Sequence, residues 1–279
     1  LTQTIVRYAV KSIPDTTHTG LGPIFGFTTP ELQTLAESRD LDELITRIKN
    51  TKYVDAVSKI NKPFTAGKIE SALRSELAEI HYSIANTAGK SDILDAYYLK
   101  FLITNLKVIL KGKALGKSQE EIEPHLNLHA EELINQRDVI IKALTAKDLE
   151  EAIASLNTIE FGEELAKAMS LYNDKKNVQI FDVFLDKILY QHLGRAMRGS
   201  GDRDAGRLVG MDIDFYNIMS ILRGKFWGLD EEQIQSLIVT QTPSVPKELL
   251  GKLISSDSVR GVFDELASSK YRELVPQTD

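Results

Sequence analysis

Apolar residues recur along this chain with the spacing of a helix face, in three separated copies. Leu41, Leu44, Ile45 and Ile48 stand at i, i+3, i+4 and i+7, and Tyr53 follows. Leu149, Ala152, Ile153 and Leu156 repeat the pattern ahead of Phe161, and Val259, Val262, Phe263 and Leu266 repeat it ahead of Tyr271. That spacing lays one side of an α-helix against a core. The copies lie about 110 residues apart. A fixed period in a helical chain predicts a repeat protein, a class that presents surfaces to partners more than it performs chemistry.

A second pattern alternates with the first. The run from Asn105 to Gly116 (NLKVILKGKALG) matches the run from Asn217 to Gly228 (NIMSILRGKFWG) without a gap. Upstream, at the same offset, Ile69-Glu70, Leu73 and Leu77 match Phe181-Asp182, Leu185 and Leu189. A whole unit therefore repeats rather than one helix. Residues 1–27 read as a leader rich in Gly, Pro and Thr, 28–138 as the first unit, 139–240 as the second and 241–279 as a partial third. One more period would carry the next closing glycine past residue 279, so the third unit is read as incomplete.

Turn chemistry supports the same division. Pro30 suits a first helical turn, with Thr29 as its N-cap. Asp40 with Glu43 and Asp148 with Glu151 read as capping pairs ahead of the repeated amphipathic helices. The third copy keeps Ser258 at the cap and has Gly261 where the acid would be. Longer helices are predicted over 67–87 and 92–111, the latter with Tyr97, Tyr98, Phe101, Leu102, Leu106, Ile109 and Leu110 on one stripe and Gly112 as its stop. Beyond the following glycines, Ser118 with Glu121 and Asp230 with Gln233 make capping boxes. Strand signals are nearly absent, so the fold class is all-α.

Composition narrows the class further. Hydrophobic residues make up 42% and charged residues 27%, the balance of an ordinary folded protein. No apolar run is long enough to span a bilayer, and residues 1–27 lack the apolar segment and cleavage site of a signal peptide. The chain has no cysteine, which excludes disulfides, thiolate metal sites and a cysteine nucleophile. A net charge of −6 argues against a general nucleic-acid binder, which needs a basic face to displace counterions.

Few residues offer chemistry. Lys111 to Ser118 (KGKALGKS) has the outline of a phosphate loop, but its first position is not glycine and a helix precedes it. His125 and His129, at i and i+4, could share a helix face, yet Leu126 stands where a zincin needs glutamate, and no third ligand is evident. Arg195, Arg198, Arg203 and Arg207 surround Gly199, Ser200 and Gly201, either as an anion-binding cluster or as a polar loop partly neutralised by Asp202 and Asp204. Asn105 and Asn217 lie on apolar stripes, where an amide needs a fixed hydrogen-bond partner. Lys111, Lys113, Arg223 and Lys225 follow equivalent helix ends. They can complement the helix dipole or form a basic surface for an acidic partner, with Phe226 and Trp227 as interface anchors. No catalytic triad, acidic metal motif or dinucleotide turn emerges, so no catalytic, cofactor-binding or metal residue is assigned.

The run from Asp95 to Gly116, with Glu70, Leu73 and Leu77 before it, resembles the C subunit of archaeal and bacterial V-type (A-type) ATP synthases, a family that includes the d subunit of eukaryotic V-ATPases. Asn217 to Gly228 is the second instance, and Leu35 to Tyr53 is similar to the family's leucine-rich half-unit. The resemblance covers most of residues 28–275. It implies three helical lobes about a pseudo-threefold axis, forming a funnel-like body. It also implies a non-catalytic rotor component at the cytoplasmic face of a membrane, peripheral and without a span of its own. Such a component couples the central stalk (D- and F-type subunits) to the membrane proteolipid ring, for proton or sodium transport linked to ATP. The resemblance implies no cofactor. Two other readings stand beside it: a helical-repeat interaction scaffold unrelated to an ATPase, whose period would be more than twice that of a usual solenoid, and an α-helical enzyme with a site between lobes.

Overall fold

The computed structural model describes residues 27–88, 91–157, 161–200, 203–240 and 245–276. All of the leader but Phe27 therefore lies outside the described residues. Among the described residues the regular structure is helical, with no strand. In chain order the helices are α1 (Thr29–Ala36), α2 (Leu41–Lys49), α3 (Val54–Ser58), α4 (Ala66–Ala88), α5 (Asp92–Ala114), α6 (Gln119–Ile122), α7 (His129–Leu133) and α8 (Arg137–Thr145). They continue as α9 (Leu149–Ser155), α10 (Gly162–Lys175), α11 (Gln179–Ser200), α12 (Arg203–Phe226), α13 (Glu231–Leu237), α14 (Lys247–Ser255) and α15 (Val259–Ala267). No helix among the described residues is long and apolar enough to cross a membrane. The chain divides into two compact units, one taking residues up to 90 with His125–Arg137, the other Ser91–Pro124 with the remainder from Asp138.

In the first unit the predicted stripe of α2 is buried. Leu44, Ile45 and Ile48 pack with Leu35, Tyr53, Val57 and Ile69, and Phe27 lies against the Tyr53 ring at 4.6 Å. The N-cap of α1 is Thr28 rather than Thr29, because Thr28 forms a full capping box with Glu31 and leaves Thr29 as the first helical residue. Asp40 caps α2 through the Glu43 N–H at 2.8 Å. The reciprocal bond lands one residue early, since the Glu43 carboxylate accepts from the Arg39 N–H at 3.1 Å. The second copy does the same: Asp148 accepts from the Glu151 N–H at 2.8 Å and Glu151 from the Lys147 N–H at 2.7 Å. In the third copy Ser258 accepts from the Gly261 N–H at 3.2 Å.

Bonds from the Arg39 side chain and N–H, and then from the Arg47 guanidinium, hold the Glu43 carboxyl down at about 2, against its ordinary 4.5. A carboxyl whose pKa falls on folding adds stability above its unfolded value, and that contribution is lost as pH drops through the folded one.

The second unit is arranged around α11, whose Phe181, Phe184, Leu185 and Ile188 are buried. This helix packs along α5 and against α10 and α12. Lys107 Nζ lies 2.6 Å from Asp186 and Lys111 Nζ 2.8 Å from Asp182. The pairing rises along α5 as it falls along α11, so the two helices run antiparallel. Lys187, almost fully buried, donates to Glu164 at 2.8 Å and to the Ser236 carbonyl at 2.7 Å.

The repeated glycines divide their work in a way their spacing did not suggest. Helix α5 does not stop at Gly112 but runs on to Ala114. The left-handed residue is Gly116, at φ 72°, matched by Gly228 at φ 66°. Both ends are Schellman motifs: Lys117 N–H donates to Gly112 O and Gly116 N–H to Lys113 O, while Leu229 donates to Gly224 and Gly228 to Lys225. Gly112 and Gly224 instead let a buried isoleucine approach. A Cβ on Gly112 would meet Ile122 Cγ1 at 2.6 Å, and one on Gly224 would meet Ile234 Cγ1 at 2.7 Å. The capping boxes at Ser118 and Asp230 start the short helices that carry those isoleucines.

Two outcomes follow for stability. In Glu43→Gln the acid limb of stability should flatten between pH 4.5 and about 2, read from urea midpoints at stepped pH; an unchanged limb would count against the Arg39–Glu43–Arg47 cluster. Gly112→Ala should destabilise by about 1–3 kcal/mol through overpacking, although alanine is the better helix former. Adding Ile122→Ala should recover part of that loss in a double-mutant cycle, and strictly additive losses would refute the close approach.

Candidate partner-binding surface

The ends of α5 and α12, where the repeated sequence motif closes, hold the basic residues and the two aromatics singled out above. Both motif lysines turn inward. Lys113 Nζ donates to the Ala146 carbonyl just past α8, and Lys225 Nζ to the Ile254 carbonyl in the last turn of α14. Helices α8 and α14 occupy matching positions one period apart, so each lysine closes the carbonyl end of the equivalent helix, where a cation also meets the negative end of the dipole. Burial pulls the Lys113 ammonium below its ordinary value, opposed by Asp148 and Glu151. Lys111 is held by Asp182. Of the four basic residues, Arg223 alone is exposed, and it makes no ion pair among the described residues.

Phe226 is 81% exposed. Trp227 is half-buried, its main-chain N–H donating to the Arg223 carbonyl at 2.8 Å. Leu115, at the position of Trp227 in the first copy, is also exposed. The end of α12 therefore presents Arg223 and Phe226, with Trp227 partly behind them. Sequence reasoning missed three more exposed apolar residues on the same helix, Leu208, Met211 and Phe215. Their signal was present as helical spacing, but apolar helical spacing usually marks a core.

Three buried polar side chains of α12 have fixed partners. Asn217 clamps Val239, donating from Nδ2 to its carbonyl and accepting from its N–H, both at 2.9 Å. That is the fixed partner expected for an amide on an apolar stripe; Asn105 is buried likewise. The Tyr216 hydroxyl lies 3.1 Å from the Val183 carbonyl and 2.8 Å from the Leu237 carbonyl, placed to donate its one proton to either. Asp214 accepts from the Val245 N–H at 2.9 Å and from the hydroxyl of Tyr271, the third repeated aromatic.

The remaining candidates separate. His125 ends a short 3₁₀ turn (Glu123–His125) and His129 opens α7, so the pair does not share one helix face. His129 Nε2 lies 2.7 Å from Glu79. Among the described residues no group of three or more His, Asp or Glu is placed to hold a metal ion. Lys111 to Lys113 are helical, which commits their backbone to the helix rather than to a phosphate. Arg195 and Arg198 stand on α11 and Arg207 on α12. The arginine-rich stretch is thus mostly helix rather than loop, with residues 201–202 outside the described residues. Gly199 and Ser200 were misleading as break signals because α11 absorbs both.

The inward and outward cations should differ on substitution. Lys225→Met orphans the Ile254 carbonyl and should cost about 1–2 kcal/mol in thermal or denaturant unfolding. Arg223→Met should stay within about 0.5 kcal/mol of the parent. Equal losses would contradict this assignment.

A family model described as ATP synthase (C/AC39) subunit matches residues 27–279. The chain is 27% identical over 264 residues to a protein named as the C subunit of the A-type ATP synthase of Methanocaldococcus jannaschii, covering 90% of this chain and 63% of that protein. It is 26% identical over 252 residues to the protein of that name from Methanosphaera stadtmanae, covering 88% and 62%. For the Haloferax volcanii protein of that name the identity is 26% over 233 residues, covering 82% and 65%. The chain thus spans a little under two thirds of the length of these relatives. With a match that runs from Phe27 through the last residue, the chain belongs to the ATP synthase (C/AC39) subunit family.

Proposed function

We propose that this protein is a non-catalytic subunit of an A- or V-type ATP synthase. In this reading it joins the central stalk (D- and F-type subunits) to the membrane proteolipid ring and passes torque between them for ion transport. The single observation that carries the reading is the family match over residues 27–279. The three sequence periods would supply three lobes around a socket for the stalk, with the protein bound peripherally at the cytoplasmic face.

The physical design supports such a role. A torque adaptor needs a stiff body, and antiparallel helices with close glycine–isoleucine contacts and satisfied buried amides resist shear. It also needs an outward face for a partner. Arg223, Phe226 and Trp227 are the residues we assign to that contact; Lys111, Lys113 and Lys225 support it from within.

Affinity purification of the tagged protein from gently solubilised membranes of its own source, read by mass spectrometry, tests the proposal. Co-recovery of stalk, nucleotide-binding and proteolipid subunits is expected. Their absence, with the ATPase shown to be present in the extract, would overturn it. The variant carrying Arg223→Glu and Phe226→Ser should keep its fold and lose ion transport relative to ATP hydrolysis by about tenfold. Full coupling in that variant would remove these residues from the contact.

A further inference from the structure

The segment from His125 to Arg137 belongs to the first unit, although the chain on both sides of it belongs to the second. The chain passes between the units three times, and two of those passages are the ends of this strap. Its middle carries α7, which packs on α4.

Polar groups do most of the holding. Asn127 Nδ2 donates to the Ser71 carbonyl at 2.8 Å and to the Ser75 hydroxyl at 2.9 Å, and its Oδ1 accepts from the His129 N–H at 3.1 Å. His129 Nε2 lies 2.7 Å from a Glu79 carboxylate oxygen. Ser71, Ser75 and Glu79 step by four residues, so these contacts follow one face of α4. Apolar burial is small by comparison. Ala130 is buried but has only a methyl group to contribute, and Leu126, Leu128, Leu133 and Ile134 are each half-buried. Glu131, at 1% exposure, is a carboxylate that gives up water when the strap docks, which works against docking. Helix α5 is the opposite case, with Ile103, Leu106, Ile109 and Leu110 all fully buried.

Segments with few buried apolar contacts open locally at a much lower free energy than a core does. Helix α7 has five residues, too few to keep its own hydrogen bonds once it is off α4. Its two tethered ends hold it beside α4, so it docks again without a search. We infer that residues 125–137 form a reversible strap, which lifts from the Ser71–Ser75–Glu79 face of α4 and returns while both units stay folded, with Asn127 as its latch. Lifting turns the strap into a slack loop of the second unit and bares the polar face of α4. Nothing in this device requires an ATPase, so it stands or falls apart from the proposed function.

Native-state hydrogen exchange on the full chain, followed across sub-denaturing urea, tests the strap. The reporters are the Glu132 and Gln136 amides, which donate within the strap to the Leu128 and Glu131 carbonyls. After correction for intrinsic rates they should exchange at least about a hundredfold faster than the Leu106 and Ile109 amides of α5, and faster than the Leu77 and Ala78 amides of α4. Their exchange should not depend on urea, as a local opening requires. Asn127→Ala should speed it about tenfold, and the milder Glu79→Gln about threefold. Strap amides that share the rate and urea slope of α4 or α5 would overturn the inference, because the segment would then open only when a unit unfolds. Exchange indifferent to Asn127→Ala would overturn the latch. The parent protein alone decides whether the opening is local, so a variant that fails to fold does not remove the test.

Discussion

The apolar seam between α5 and α11 is the contact on which the second unit depends. Each isoleucine or leucine buried there contributes about 1.5–3 kcal/mol, whereas a partly exposed ion pair contributes about 1 kcal/mol or less. The seam therefore supplies the energy, and the Lys107–Asp186 and Lys111–Asp182 pairs supply direction and register. Sliding α11 by one turn would set lysine against the wrong carboxylate and lift Ile103 from its place. With α11 fixed, α10 and α12 pack against its remaining sides, and the buried Lys187 ties it to Glu164 and to the Ser236 carbonyl.

Helix ends are the second theme, and the first two periods close them in the same way. A glycine without a side chain admits an isoleucine, a second glycine turns left-handed, and a lysine between them satisfies the carbonyl end of a neighbouring helix. These features are local, but each spans two elements, so the ends of helices cannot fray independently. Asn217 does the same for an irregular stretch of backbone at Val239. Arg223 and Phe226 are left facing outward.

Much of this was legible in the chain. Helical class, the buried faces at Leu44–Ile48 and Ala152–Ile153, the caps at Asp40, Asp148 and Ser258, and a structural amide at Asn217 all follow from short-range pattern, because capping and helix periodicity are decided within one or two turns. What was not legible depends on distant neighbours. Gly112 looks like a helix stop until Ile122 is seen against it. Lys113 and Lys225 look like free cations until carbonyls about thirty residues away are found to accept from them. The stripe on α12 looks like core because apolar spacing reports a face, not what covers it. The exposed residues of α12 are thus the least readable part of the sequence, since helical spacing alone does not tell an exposed face from a buried one.

The central claim is that this chain stands between the rotor stalk and the membrane ring of an ATP synthase. Electron cryo-microscopy of the intact complex, purified through a tag on this protein, tests it most directly. The expected result is density for this chain on the rotation axis, touching the central stalk on one side and the proteolipid ring on the other. Density for it on the periphery of the complex, or a complete stalk-to-ring contact made without it, would contradict the claim.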